Sequence, residues 1–292
     1  MLAWQFKLPG LAWYWFGMRG HAEEWAQKGV WLPGYRVGID GRRIEGIGKN
    51  ASGLTFNPET RTLFTVINAP PQVAEITTDG RLLRTIPLTG VGDPEGISHV
   101  DAERYVIADE RDQQLYWVEI GPDTGRLDVS GAPRLGLAID LGKNLGFEGV
   151  SWDHAKDRLF VAKEKSPLRV LEISGIPALF TGGPLDLQIR EWKPSRARTL
   201  FMTDLSSLTL HEPTGNLLLL SHESRLVVEY AYDGTPVSIL PLWKGWHGLA
   251  RTVPQAEGLA IDDEGTLYVL SEPDLFYRFE RTAPPAWRAA AP

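Results

Sequence analysis

The chain contains no cysteine, which excludes disulfides, zinc–thiolate sites, iron–sulfur clusters and thiol catalysis. It leaves the compartment open, because such a chain folds equally well in oxidising or reducing surroundings. Positive charge is not in excess: 30 Lys and Arg against 37 Asp and Glu give a net charge of −7, so no nucleic-acid partner is expected. Long apolar runs are missing. The most apolar stretch, Leu11 to Met18, follows Lys7, Pro9 and Gly10 and falls short of the roughly 20 residues that span a bilayer. Extended segments of helical period are absent too, which removes two α/β halves as an alternative architecture. What is abundant is glycine (30), proline (21) and tryptophan (11), in a chain of 292 residues with an ordinary 43% of hydrophobic residues. Many turns with many aromatics point to an all-β globular protein.

From residue 50 onward the chain repeats itself. The repeats begin at Ser52-Gly53-Leu54, Glu95-Gly96-Ile97, Glu148-Gly149-Val150, Ser206-Ser207-Leu208 and Glu257-Gly258-Leu259. This spacing lies slightly above the period of about 40–50 residues of a four-stranded blade. Each opening run alternates, meets a polar turn such as Asn57-Pro58-Glu59-Thr60 or Asp262-Asp263-Glu264-Gly265, and returns as a second strand. Third strands follow, and Asp79-Gly80 and Asp233-Gly234 turn into fourth strands. Four strands in each of five repeats predict a five-bladed β-propeller. The last repeat lacks a fourth strand, and Tyr35–Ile39 is the candidate to supply it and close the ring. The expected organisation is an aromatic segment over residues 1–34, a propeller over 35–280 and a tail over 281–292. A monomer is expected. The Trp-rich first segment is read either as a membrane-interface anchor or as a flank-packing segment. Glu75, Glu119, Glu172 and Glu229 recur inside third strands and read as blade-edge or inter-blade hydrogen-bonding residues.

In a propeller the first strand of each blade lines the central channel, so the repeat starts converge on one mouth. That gathers Glu95, Glu148 and Glu257, with Asp204 two residues before Ser206. Carboxylates crowded in a low dielectric either take up protons or bind a cation. Oxygen donors without cysteine, and histidines without metal-ligand spacing, favour calcium over zinc. The ends of the second strands return to the same face with Asn68, Glu110, Glu164, Glu223 and Glu272, and with basic Arg111, Lys163, Lys165 and Arg225. These residues form the expected ligand face, for a small molecule or a protein. Were the metal catalytic, His222 or Glu223 would handle the proton.

Ile67-Asn68, Arg84-Thr85-Ile86-Pro87-Leu88, Asp109-Glu110-Arg111-Asp112, Gly146-Phe147-Glu148-Gly149, Lys163-Glu164-Lys165, Ser221-His222-Glu223-Ser224-Arg225, Gln255-Ala256-Glu257-Gly258 and Ser271-Glu272-Pro273 together carry a resemblance. From about Tyr35 to Phe279 the chain resembles the SdiA-regulated family, also called YjiK-like proteins. The resemblance implies a five-bladed propeller distantly related to NHL-repeat proteins, a calcium site, and association with the bacterial envelope, as a membrane-associated or periplasmic protein. It implies no reaction. The expected function is a calcium-binding module of the envelope, acting in binding, sensing or scaffolding. The alternative is a calcium-dependent hydrolase of lactones, esters or phosphate esters, since the Glu-Gly blade start is similar to that of gluconolactonase and paraoxonase propellers.

Overall fold

The computed structural model describes residues 12, 16, 18, 20–137, 146–164, 168–181, 186–192 and 202–282. A short helix α1 (Ala22–Lys28) leads into β1 (Tyr35–Arg43). Blade one is β2 (Ala51–Asn57), β3 (Thr62–Asn68), β4 (Pro71–Thr77) and β5 (Leu82–Thr89). Blade two starts with β6 (Pro94–Asp101), β7 (Arg104–Asp109) and β8 (Gln114–Glu119). Next comes β9 (Leu127–Asp128), which adds in parallel to β5, and then β10 (Arg134–Gly136) completes blade two. Blade three is β11 (Phe147–Asp153), β12 (Arg158–Lys163), β13 (Arg169–Ser174) and β14 (Gln188–Trp192). Blade four is β15 (Ser207–His211), β16 (Asn216–Ser221), β17 (Leu226–Tyr230) and β18 (Pro236–Pro241). Blade five is β19 (Gln255–Ile261), β20 (Leu267–Glu272) and β21 (Leu275–Arg281), and its outer strand is β1.

The innermost strands β2, β6, β11, β15 and β19 touch in a closed ring. Five apolar clusters lie between successive blades, one for each adjacent pair. Blades sandwiched on both faces need apolar residues on both, and β12 and β16 are buried at every position. The inner strands are also stitched by hydroxyls. The backbone N–H groups of His99, Trp152 and Leu210 donate to Thr55 Oγ1, Ser98 Oγ and Ser151 Oγ of the preceding blade, at 2.9–3.0 Å.

Closure by the N-terminal strand is as the sequence predicts. β1 pairs antiparallel with β21 from Tyr35 opposite Arg281 to Arg43 opposite Leu275. Its outer edge is covered by the loop after β18, where Val37 N–H donates to His247 O at 2.8 Å and Ala250 N–H to Asp40 Oδ2 at 2.8 Å. The described part of the first segment docks on the flank of blade four, against the clusters it shares with blades three and five. Met18, Val30 and Leu32 are buried there, and Trp25 and Trp31 pack against the same clusters. Most of the aromatic run that motivated the membrane reading lies outside the described residues. Among the described residues no helix is long and apolar enough to cross a membrane.

The third-strand glutamates divide by role. Fully buried Glu229 accepts from Val30 N–H (2.6 Å), Trp31 N–H (3.0 Å), Asn216 Nδ2 (2.6 Å) and Ser238 Oγ (2.5 Å), so it holds the N-terminal segment. Glu172 joins Arg158 and Arg190 of its own blade to Tyr232 of the next. Glu75 stays within its blade, accepting from Thr62 and Arg84.

The Glu-Gly pairs have a packing reason. A Cβ on Gly149 would stand 2.8 Å from Leu208 N and 2.9 Å from Ser207 Cα of the neighbouring inner strand. Backbone cannot yield there as a flexible side chain can, so Gly149→Ala is expected to cost about 2 kcal/mol by overpacking. Urea denaturation giving an unchanged midpoint for this variant would refute the close-approach argument.

Candidate functional site

Each Glu of a Glu-Gly pair sits on a bulge. The pairing of β6 with β7 shifts between Pro94 and Gly96, that of β11 with β12 between Phe147 and Gly149, and that of β19 with β20 between Ala256 and Gly258. The residues left over are Glu95, Glu148 and Glu257. A bulge re-aims the side chain of its extra residue, and all three line one cavity of about 220 Å³ at the channel mouth. Asn68, Glu110, Glu164, Ser206, His222, Gln255 and Glu272 complete the lining.

At that mouth two groups of carboxylates close up, one of them taking in Asp93 from outside the cavity lining. One oxygen each from Asp93, Glu95 and Glu110 lie within 4.8 Å of one another, and so do oxygens of Glu110, Glu148 and Glu164. Glu110 is common to both. Burial is the main cause of perturbed acidity here, with neighbouring carboxylates adding to it. It pushes Glu95 up to about 7, against the downward pull of Asn68 and Ser52, and Glu257 up to about 8. Glu148 is raised well above its ordinary range, and Glu110 and Glu272 are raised as well. Few donors offset this crowding: Asn68 Nδ2 reaches Glu95 Oε1 at 2.7 Å, and Gly146 N–H reaches Glu110 Oε1 at 3.3 Å. Asn68 Oδ1 is buried and accepts no hydrogen bond from the described residues.

The predicted quartet is rearranged by these contacts. Glu95 and Glu148 belong to the close groups, while Glu257 lines the same cavity but belongs to neither. Asp204 is fully buried and is absent from the lining. Its carboxylate accepts from Ser221 Oγ and from the backbone N–H groups of His222 and Glu223, so it shapes the turn after β16. Glu110 and Glu164, expected on the ligand face, join the close groups of Glu95 and Glu148 because they follow β7 and β12 by one residue and sit in the turns. Asp93 was missed by sequence reasoning. It stands two residues before Glu95, as Asp204 stands two before Ser206, and that shared offset was the available signal.

Of the ligand-face residues, Asn68, Glu110, Glu164 and Glu272 line the cavity. Arg111 and Arg225 are exposed and outside it, with Arg111 at 3.4 Å from Asp93, and Lys163 is fully buried. Lys165 lies outside the described residues. His222 lines the cavity with 28% of its side chain exposed. Its Nδ1 is 3.0 Å from Asp204 Oδ2 and 3.4 Å from Glu257 Oε1, without hydrogen-bond alignment. Glu223 is exposed and does not line the cavity.

The cavity is a ring of oxygen donors in which negative charge is disfavoured until something positive enters. These residues fit a hard divalent cation: their donors are carboxylates, one orphaned amide oxygen and a serine, in the number and flexibility that calcium accepts.

Among solved structures, the chain is similar to a luciferin-regenerating enzyme, with a TM-score of 0.50 and 14% identity over 84% of this chain and 96% of that one. It is also similar to a chain of a nidogen/laminin complex, with a TM-score of 0.49 and 13% identity over 77% of this chain and 73% of that one. At such identities the likeness concerns the fold alone. The sequence profile described as SdiA-regulated matches residues 27–280, most of the chain. With the five-bladed ring and the Glu-Gly bulges, that match shows that the protein belongs to the SdiA-regulated family.

Proposed function

We propose that the protein is a calcium-binding propeller of the bacterial envelope that presents its carboxylate-lined mouth to a ligand or partner. The observation that carries this reading is the sharing of Glu110 between two close carboxylate groups, beside the buried, unpartnered Asn68 Oδ1. Glu95, Glu110, Glu148 and Glu164 would hold the cation, with Asn68 and Asp93 adjoining. When bound, calcium supplies charge neutralisation and open coordination sites for oxygen-bearing ligands. Asn68 orients Glu95, and Asp204 fixes the turn that carries His222. The envelope placement rests on the family resemblance.

Calorimetry on chelator-stripped protein is expected to show saturable calcium binding. Selective binding to the folded state at 100 times Kd contributes about 2.7 kcal/mol, or a rise in Tm of roughly 4–5 °C for a chain of this size. Absence of calcium heat would overturn the reading.

His222 favours a second reading, calcium-dependent hydrolysis. It lines the cavity, is partly accessible, and has two carboxylates near its Nδ1, a setting open to a general base. A panel of lactones, esters and phosphomonoesters assayed with calcium and with chelator tests it. Calcium-dependent turnover that is lost in His222→Ala, with calcium affinity kept, would establish this reading. No turnover across the panel would leave binding as the function.

A further inference from the structure

The opposite mouth of the channel holds a second cavity, of about 560 Å³, remote from the carboxylate site. Its floor is formed where the inner strands end. Phe56, His99, Trp152, Leu210 and Ile261 occupy the same place in successive blades, each directly after the position that carries the stitching hydroxyl in blades one to three. Blades one to three thus contribute aromatic rings, and blades four and five aliphatic side chains.

Two polar groups in this cavity have acceptor capacity that the described residues leave unused. His99 is 4% exposed, and its Nε2 lies 3.0 Å from the carbonyl oxygen of Ala102. A carbonyl can only accept, so Nε2 carries the proton and Nδ1 is a bare lone pair. That Nδ1 is buried and has no hydrogen-bond partner. Burial pushes the pKa of His99 down, so the ring is neutral at pH 7 and remains an acceptor. Glu212 takes the backbone N–H of His154 at 2.8 Å and His154 Nδ1 at 2.5 Å, both on Oε1. Its Oε2 receives no hydrogen bond from the described residues. Burial works against the charge of Glu212, but the His154 bonds outweigh it and hold the carboxyl below its ordinary pKa. The guanidinium at the rim, Arg61, lies 5.7 Å over the Phe56 ring and is balanced by Asp263 and Glu264.

From this arrangement we infer that the second mouth is a binding site for a small aromatic amine: a flat ring seated on Trp152 and the apolar floor, with N–H groups donating to His99 Nδ1 and Glu212 Oε2. A neutral lone pair and a carboxylate select a donor over an acceptor. Aromatic faces favour a cation over an anion of the same shape. An indole carboxylate would meet Glu212 with like charge.

Tryptamine and indole-3-acetate are suitable probes, sharing a ring and differing in charge. Calorimetry on the full chain is expected to show one tryptamine bound, with the same affinity in calcium and in chelator. Indole-3-acetate is expected to bind at least tenfold more weakly. Glu212→Gln, at a side chain 37% exposed, should bring the two probes to within about twofold of each other, and His99→Phe should weaken tryptamine at least tenfold. Should His99→Phe fail to fold, Glu212→Gln alone carries the test. No tryptamine binding, equal binding of the two probes to the unaltered protein, or a preference unchanged in Glu212→Gln would overturn the proposal. So would displacement of tryptamine by calcium, which would assign the amine to the carboxylate mouth.

Discussion

A chain lacking residues 1–40 is expected to lose its folded ring altogether instead of melting a few degrees lower. The deletion takes Val30, Leu32 and Tyr35, all fully buried, each worth about 1.5–3 kcal/mol of burial. It takes the Tyr35 hydroxyl from Gly265 O and the Val30 carbonyl from Arg281. It also strips Glu229 of two of its four donors, leaving a carboxylate with no exposure short of partners, a change that costs several kcal/mol in itself. The edge of β21 is then open to pairing with other chains. These losses together approach the stability of an entire domain, about 5–15 kcal/mol. Size-exclusion chromatography and circular dichroism are the measurements. A monomeric truncated chain with a cooperative transition near that of the full protein would show that the ring closes without β1.

The deletion acts on a feature that was legible in the sequence. Blade five showed three strands, while Tyr35–Ile39 alternated before the first blade. Blade order and the convergence of Glu95, Glu148 and Glu257 followed from the repeat in the same way. Other features depended on contacts that carry no periodic signal. Two residues of β9 leave their own blade to extend blade one, which no alternation announces. Glu110 and Glu164 stand one residue past their strands, and that single step places them in the inner groups. Asp204 had the right offset to reach the channel, yet its oxygens are taken by its own blade's turn. Spacing along the chain also hid the histidines. His99 and His154 show no ligand spacing, but blade geometry brings their rings to 5.6 Å at the second mouth.

Stability of the metal-free protein is expected to fall as pH rises from about 5 to 8, and calcium is expected to reduce that fall. Glu95 and Glu257 have folded-state pKa values of about 7 and about 8 against an ordinary 4.5. Raised folded values mean that the native state binds protons more tightly than the unfolded chain across this window. By linkage, stability then declines as pH climbs through it and levels off above the folded pKa values. A tenfold change in proton affinity is worth about 1.4 kcal/mol, so the two groups together give a loss on the order of 5 kcal/mol after relaxation and water entry. For a chain of this size that is a drop in Tm of roughly 8 °C. Saturating calcium keeps the carboxylates that hold it, Glu95 among them, ionised in the native state, so their share of the native excess of bound protons disappears and the slope becomes shallower. Glu148→Gln separates the two regimes. Without metal it removes one of the crowded charges, so the variant should melt higher than the unaltered protein at pH 8 and with a shallower pH slope. With calcium present it removes a ligand, so affinity and the calcium-dependent rise in Tm should both shrink. Thermal melts from pH 5 to 9 in chelator and in calcium measure all four conditions. A flat profile in chelator would mean that the carboxylates at this mouth are hydrated and uncrowded. An equally steep decline in calcium would mean that the cation binds elsewhere.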